Sequence, residues 1–232
     1  MDFDSRDARP EVGLGRRSNL KRWGIIPPCI LRSFLACAAA FTFSGGMKMA
    51  SAQTRPTFAH VLTSSGPSPQ MPKSATSVFD WVVGDWAVDV YDYTPDGSKW
   101  AGKGEWHFSW VLEGRAIQDV WIVPRLADRN AATPKEHNRF GTSLRVYDPK
   151  VNAWRVYWFN PVTQDQTEVT ARKIGNDIVQ QGVDDDGSYI RWSFTDIKPN
   201  SFVWLGESST DGGKTWQLGA KFLAHRLTND AR

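Results

Sequence analysis

The chain has 232 residues, 41% hydrophobic and 12% aromatic, with a formal net charge of +3, which is room for one domain and a leader but not for two all-β domains. Residues 1–52 hold 8 Lys/Arg against 4 Asp/Glu, leaving 20 against 21 and a net of −1 for the rest, so the body offers no phosphate-binding face and no nucleic-acid partner is expected. Both cysteines, Cys29 and Cys37, fall in the first 52 residues, which excludes disulfides, a thiol nucleophile and thiolate metal sites from the body and suits an oxidising compartment.

The first predicted element is an export signal over residues 1–52. A basic segment runs from Arg16 to Arg32, an apolar stretch from Ser33 to Gly46, and Ala50-Ser51-Ala52 before Gln53 forms an Ala-x-Ala cleavage site. The apolar stretch is shorter than the roughly 20 residues a span requires. Membrane contact is therefore expected only during export, and the mature protein is expected in the periplasm or outside the cell, cleaved after Ala52. Arg16-Arg17 with Leu20-Lys21 resembles the twin-arginine motif but has Asn19 where an aromatic is usual, so that route and the general secretory route both stay open. A start at Met47 or Met49 would remove the signal. Residues 53–76, with Pro56, Pro67, Pro69 and Pro72 among many Ser and Thr, have the composition of a flexible spacer, and the folded domain is expected over 77–228.

A short helical turn capped by Ser77 is expected over Ser77 to Val83. Strands follow, read from period-two alternation between turn signals: Asp85 to Tyr93, Gly104 to Leu112, Ile117 to Val123, Arg139 to Tyr147, Ala153 to Phe159, Gln166 to Arg172, Asp177 to Gln181, Tyr189 to Thr195, Ser201 to Glu207 and Thr215 to Leu227. Short turns such as Thr94-Pro95-Asp96-Gly97 and Asp186-Gly187 pair neighbouring strands as hairpins. The pattern predicts an all-β fold, a single antiparallel up-and-down barrel of about ten strands. The segment Pro124 to Asn138 is too long for such a turn and reads as a lid or binding loop.

Nine of the twelve tryptophans fall in these strands. Inward faces are expected to carry Trp106, Phe108, Trp110 and Leu112; Phe140, Leu144 and Val146; Trp154, Val156 and Trp158; Ile190, Trp192 and Phe194; and Trp216, Leu218 and Phe222. Large aromatics are ordinary core material, so a solidly packed interior serving only as an interaction module is one reading. The leading one is a cavity holding one small apolar or aromatic molecule. Its expected lining is Trp106, Phe108, Trp110, Trp121, Arg145, Trp158, Trp192 and Trp204, with Arg145 or Gln118 orienting the guest.

Gly84-Asp85-Trp86 at the first strand and Arg226 near the end of the last resemble the calycin superfamily of lipocalins and fatty-acid-binding-type barrels, in which an Arg of the final strand packs on the Trp of a Gly-x-Trp motif. From Phe79 to Arg226 the chain is also similar to an uncharacterised bacterial family of secreted or cytosolic calycin-like barrels, on Gly104-Glu105-Trp106-His107-Phe108, Leu112-Glu113-Gly114-Arg115, Asp119-Val120-Trp121, Phe140-Gly141-Thr142, Tyr147-Asp148-Pro149 and Trp192-Ser193-Phe194. The resemblance implies the fold and an internal cavity, and brings no chemistry. Related nitrobindin-type barrels bind haem through a histidine, which makes His225 the candidate axial ligand; otherwise no cofactor and no metal is expected.

An alternative function is acid/base catalysis on a small unsaturated substrate, for which Glu105, His107 and Asp119 are the candidates. Glu105 and His107 share the strand face opposite Trp106 and Phe108. With the tryptophans inside, that pair is polar surface, and burial is what would tune it for proton transfer. Ser209-Thr210-Asp211-Gly212-Gly213-Lys214-Thr215-Trp216 matches the Asp-box pattern of sialidase propellers, read here as a structural hairpin. Asp184-Asp185-Asp186-Gly187 lacks the spacing of a calcium loop and reads as an acidic turn.

Overall fold

The computed structural model describes residues 55–228, so the export signal, its cleavage site and both cysteines lie outside the described residues. Two short helices, α1 (Phe58–Leu62) and α2 (Lys73–Phe79), flank a two-residue strand β1 (Thr63–Ser64), and a 3-10 turn, Asp80–Val82, follows α2. Ten strands come next: β2 (Gly84–Tyr93), β3 (Lys99–Val111), β4 (Ala116–Val123), β5 (Arg139–Asp148), β6 (Ala153–Asn160), β7 (Asp165–Ile174), β8 (Asp177–Val183), β9 (Tyr189–Lys198), β10 (Ser201–Ser209) and β11 (Gln217–Arg226). Each of these ten pairs antiparallel with its chain neighbours, and β11 pairs with β2, closing an up-and-down calycin-like barrel. β3 runs past the start of β2, and β1 takes the vacant edge, Thr63 opposite Val111 and Ser64 opposite Trp110.

Alternation sorts the side chains as the pleat requires. On β2, Trp86, Val88 and Val90 are buried between half-exposed neighbours, and on β3 the same holds for Trp106 and Phe108, while Trp110 is buried next to the buried Val111. One end of the barrel is plugged by α2 and the turn after it, which bury Ala75, Val78, Phe79 and Val82. Phe79 meets Trp154 edge-on at 5.4 Å and Phe194 at 6.1 Å between ring centres. The indole N–H groups there all find oxygen: Trp81 donates to the Val78 carbonyl at 2.8 Å, Trp86 to Val82 at 2.7 Å, Trp154 to Ala75 at 3.2 Å, and Trp110 to Asp80 Oδ1 at 2.9 Å. Arg226 lies 4.1 Å from the centre of the Trp86 ring and donates to the carbonyls of Trp81, Val83 and Pro199. The expected Trp–Arg pairing is thus present. Gly84 makes room for it, with φ +125° and space where a Cβ would come within 2.6 Å of Arg226 Nη1.

Several expectations need correction. The helical turn begins earlier, at Lys73, where Pro72 with φ −60° leads into it, and the Ser77 hydroxyl donates back to the Ser74 carbonyl instead of capping. The packed region likewise starts before Ser77: β1 joins the sheet, the Ser68 N–H donates to the Gly114 carbonyl at 2.9 Å, and Ala75 is buried. Leu112 enters the β3–β4 turn with φ +54° and is exposed. β5 is inverted relative to its apolar pattern, with Phe140 40% and Val146 37% exposed on the outside while Ser143 and Arg145 are buried inside. Leu144 and Arg145 are adjacent and cannot both point inward; the interior takes Arg145 because a buried carboxylate waits for it. Trp216 lies outside, in the turn before β11, under the Arg191 guanidinium at 4.0 Å.

Candidate functional site

The end of the barrel opposite the plug carries the turns after β2, β4, β6, β8 and β10, including the long segment Pro124 to Asn138. That segment folds into two 3-10 turns, Leu126–Asp128 and Lys135–His137, and is tied to the rim. His137 stacks on Trp100 with ring centres 4.1 Å apart, and Arg129 donates to the carbonyls of Val123 and Arg139 at 3.0 and 3.1 Å. Beneath this end lies a cavity of about 190 Å³ lined by Trp106, Trp121, Arg139, Ser143, Arg145, Trp158, Gln180, Trp192, Trp204, Ala220 and Phe222.

Its walls are mostly aromatic. Trp204 and Phe222 stack at 4.5 Å, Phe222 and Trp121 at 4.8 Å, and Trp106 and Trp121 are 4.9 Å apart. Gly141 on β5 gives the Trp158 indole its place, since a Cβ there would come within 2.4 Å of the ring and 2.6 Å of the Phe159 carbonyl oxygen. Trp158 also lines an outer hollow of about 310 Å³ beside Phe159, Gln166, Val183 and Asp185. There β7 and β8 are paired no further than Thr170 and Gln181, so this indole stands between the cavity and the surface.

The polar part of the cavity is built around an ion pair. Asp119 on β4 and Arg145 on β5 are bonded through Arg145 Nη1, with side chains 0% and 2% exposed. Asp119 also accepts from the Ser143 N–H at 3.0 Å. The guanidinium lies 5.4 Å from the centre of Phe79 and 5.3 Å from Phe108, between the plug and the cavity. At the rim, Arg139 Nη2 donates to Asp92 at 2.7 Å. Four buried polar atoms of lining residues have no hydrogen-bond partner: Trp106 Nε1, Arg145 Nε, Arg139 Nη1 and Gln180 Oε1. Leaving such a group unmatched costs about 1–3 kcal/mol, so their gathering at one cavity calls for a reason.

Of the lining expected from sequence, Trp106, Trp121, Arg145, Trp158, Trp192 and Trp204 come together around the cavity. Phe108 and Trp110 point inward but lie toward the plug, Phe108 against Arg145 and Trp110 bonded to Asp80. Gln118 is on the outer face, donating to Thr142 Oγ1 at 3.0 Å. Arg139, Ser143, Gln180, Ala220 and Phe222 complete the wall without having been singled out for it. The signal for Arg139 and Ser143 was the face they share with Arg145; Gln180 shares one with the buried Ile178.

The acid/base candidates are divided between the two faces, with Glu105 Oε2 3.8 Å from His107 Nε2 outside and Asp119 inside. Glu105 and His107 lie on the outer face, where His107 Nδ1 is 2.8 Å from Asp85 Oδ1 and Glu105 accepts from the Leu126 N–H at 2.6 Å. Asp119 is inside and committed to Arg145 and Ser143. His225 is exposed on the outer surface, between Ala87 and Ser201 of the neighbouring strands. No lining residue is a His, Cys, Met or Tyr, so the cavity wall presents no side chain of the kinds that hold haem iron. Haem does not fit these residues. Among the described residues no group of three or more His, Cys, Asp or Glu side chains is placed to hold a metal ion.

No family model matches the chain. No curated protein matches it either. Among solved structures it is similar to the S-type phycobiliprotein lyase CPES from Guillardia theta, with a TM-score of 0.46 and 13% identity over 68% of this chain and 94% of that one. It is also similar to Rv2717c from M. tuberculosis, with a TM-score of 0.45 and 13% identity over 66% of this chain and 98% of that one. Likenesses of this order say nothing about ligand or chemistry.

Proposed function

We propose that the protein is a small-molecule-binding barrel for an apolar or aromatic guest. The observation that carries this is the cavity of about 190 Å³ with five indoles in its wall and unmatched polar atoms on Trp106, Arg139, Arg145 and Gln180. A packed interaction module has no use for such a space, and an apolar void of about 150 Å³ is already enough for one benzene ring. Indoles give contact area at low entropic cost, and a few polar groups fix orientation. Pockets for drug-sized ligands start near 300 Å³, so the guest is smaller than these. Export to the periplasm or beyond rests on the Arg16 to Ala52 pattern, and kinship with the uncharacterised calycin-like family on the motifs from Phe79 to Arg226.

The test is tryptophan fluorescence and thermal melting of the purified protein against monocyclic aromatic compounds. Saturable quenching together with a raised melting temperature is expected for at least one of them. A panel that neither quenches nor stabilises would remove the proposal.

A further inference from the structure

We infer, building on that reading of the cavity, that its guest is a monocyclic aromatic carboxylate whose ring lies among the indoles and whose carboxylate is taken by Arg145 and the Trp106 N–H. The size argument sets the ring count, because 190 Å³ exceeds the space of a single benzene ring by little more than one small substituent. The polar argument sets the substituent. The unmatched atoms are three donors, Trp106 Nε1, Arg145 Nε and Arg139 Nη1, against one acceptor, Gln180 Oε1. A guest that answers them is rich in acceptor positions. A carboxylate offers about four lone-pair sites, and its bonds to guanidinium are roughly twice as strong as neutral ones.

The ion pair points the same way. A buried Arg–Asp pair is commonly no better for stability than apolar side chains of the same volume, so stability gives Asp119 and Arg145 no reason to sit at 0% and 2% exposure. With a guest the arrangement has one: Asp119 holds Arg145 through Nη1 and leaves the Nε edge free of protein partners. Arg139 is held likewise by Asp92 through Nη2, with Nη1 left over. The guanidinium fork can serve two acceptors at once. Gln180 Oε1 adds a place for one donor on the ring.

The experiment is calorimetric titration of the full-length protein with benzoate, benzamide, benzyl alcohol and toluene. Benzoate is expected to bind at least about 10-fold tighter than benzamide, as charged hydrogen bonds of ordinary strength imply. Equal or tighter binding of benzamide or toluene overturns the carboxylate while leaving a ligand-binding barrel. Silence from all four, with the fluorescence panel also silent, removes both. The double variant R145M/D119L takes away the pair while keeping the charge balance. It is expected to bring benzoate and benzamide to within about twofold of each other, with toluene binding retained. A benzoate preference that survives in the folded double variant overturns the assignment to Arg145, and should that variant not fold, the ranking in the unaltered protein decides.

Discussion

The two ends of this barrel use the same residue type under opposite rules. At the plugged end every indole is both packed and bonded, with Trp81, Trp86, Trp110 and Trp154 donating to oxygens of α2 and the turn after it. Toward the open end Trp106 is buried with its N–H unmatched, and Trp158, Trp192 and Trp204 are only partly buried beside a void. The first arrangement stabilises a fold; the second keeps polar and aromatic groups waiting. Tryptophan is not what distinguishes core from site here. The distinction is whether the polar tip of each ring has been given a partner by the chain itself.

Substitutions at the two ends should therefore differ in size, and the largest effects belong to the plug. Trp86→Ala removes a fully buried ring that also supports Arg226, and a loss of about 3–5 kcal/mol is expected in denaturant unfolding. Trp192→Ala, in the cavity wall, should cost well under half of that, because its ring is only partly buried and water can enter the space it leaves. Equal losses at the two positions would show that the cavity wall is as much core as the plug is.

Between the two ends lies the Asp119–Arg145 pair, and it can be broken in two ways. Arg145→Met alone strands a carboxylate that is fully buried and should cost about 3–5 kcal/mol. Adding Asp119→Leu should recover most of the loss, since the pair is then replaced by apolar volume. A double variant as unstable as the single one would mean that the pair, and not only its balance, holds the barrel together. A smaller effect of opposite sign is expected at Gln180, 1% exposed and with an unmatched Oε1. Gln180→Leu should leave the ligand-free protein unchanged or more stable by up to about 1 kcal/mol, read as a raised melting temperature. Destabilisation there would show that Gln180 is a structural group.

The division between the ends was only partly legible beforehand. Strand positions were readable because period-two alternation and the turn residues fix them locally; β6, expected over Ala153 to Phe159, runs Ala153–Asn160. The Trp86–Arg226 pairing was readable from a short motif. β5 was not: its apolar residues, Phe140, Leu144 and Val146, alternate as an inward face should. The interior instead takes Ser143 and Arg145, because Asp119 on the neighbouring strand needs partners there. A strand's pattern reports which faces differ, and cross-strand chemistry decides which one is buried. Gln180 was invisible for a related reason, since Ile178 and Val179, and likewise Gln180 and Gln181, give the two faces of β8 no contrast. The contribution of residues 55–76 escaped notice because Pro, Ser and Thr mark both a spacer and the turns around a short helix.

The mildest probe of the open end is acid. The Asp-box turn between β10 and β11 is organised by one carboxylate: Asp211 accepts from the Thr215 hydroxyl at 2.6 Å, the Thr215 N–H at 2.9 Å and the Ser209 hydroxyl at 2.8 Å. These bonds, the Thr215 hydroxyl foremost, lower its pKa from 3.8 to about 2. A carboxylate depressed in the folded state contributes its stability above its unfolded pKa and loses it as the pH falls through the folded one. The turn should thus be intact at pH 4 and give way only as the pH approaches about 2. Trp216, whose indole donates to the Gly213 carbonyl at 3.0 Å, reports on it through its indole N–H resonance. That resonance should titrate near 2, with the plug resonances of Trp86 and Trp154 unmoved over the same step. In Asp211→Asn the step should vanish. A midpoint near 3.8 would mean that the turn does not hold the carboxylate, and simultaneous movement of Trp86 would mean that the two ends unfold as one unit and that their difference is confined to packing.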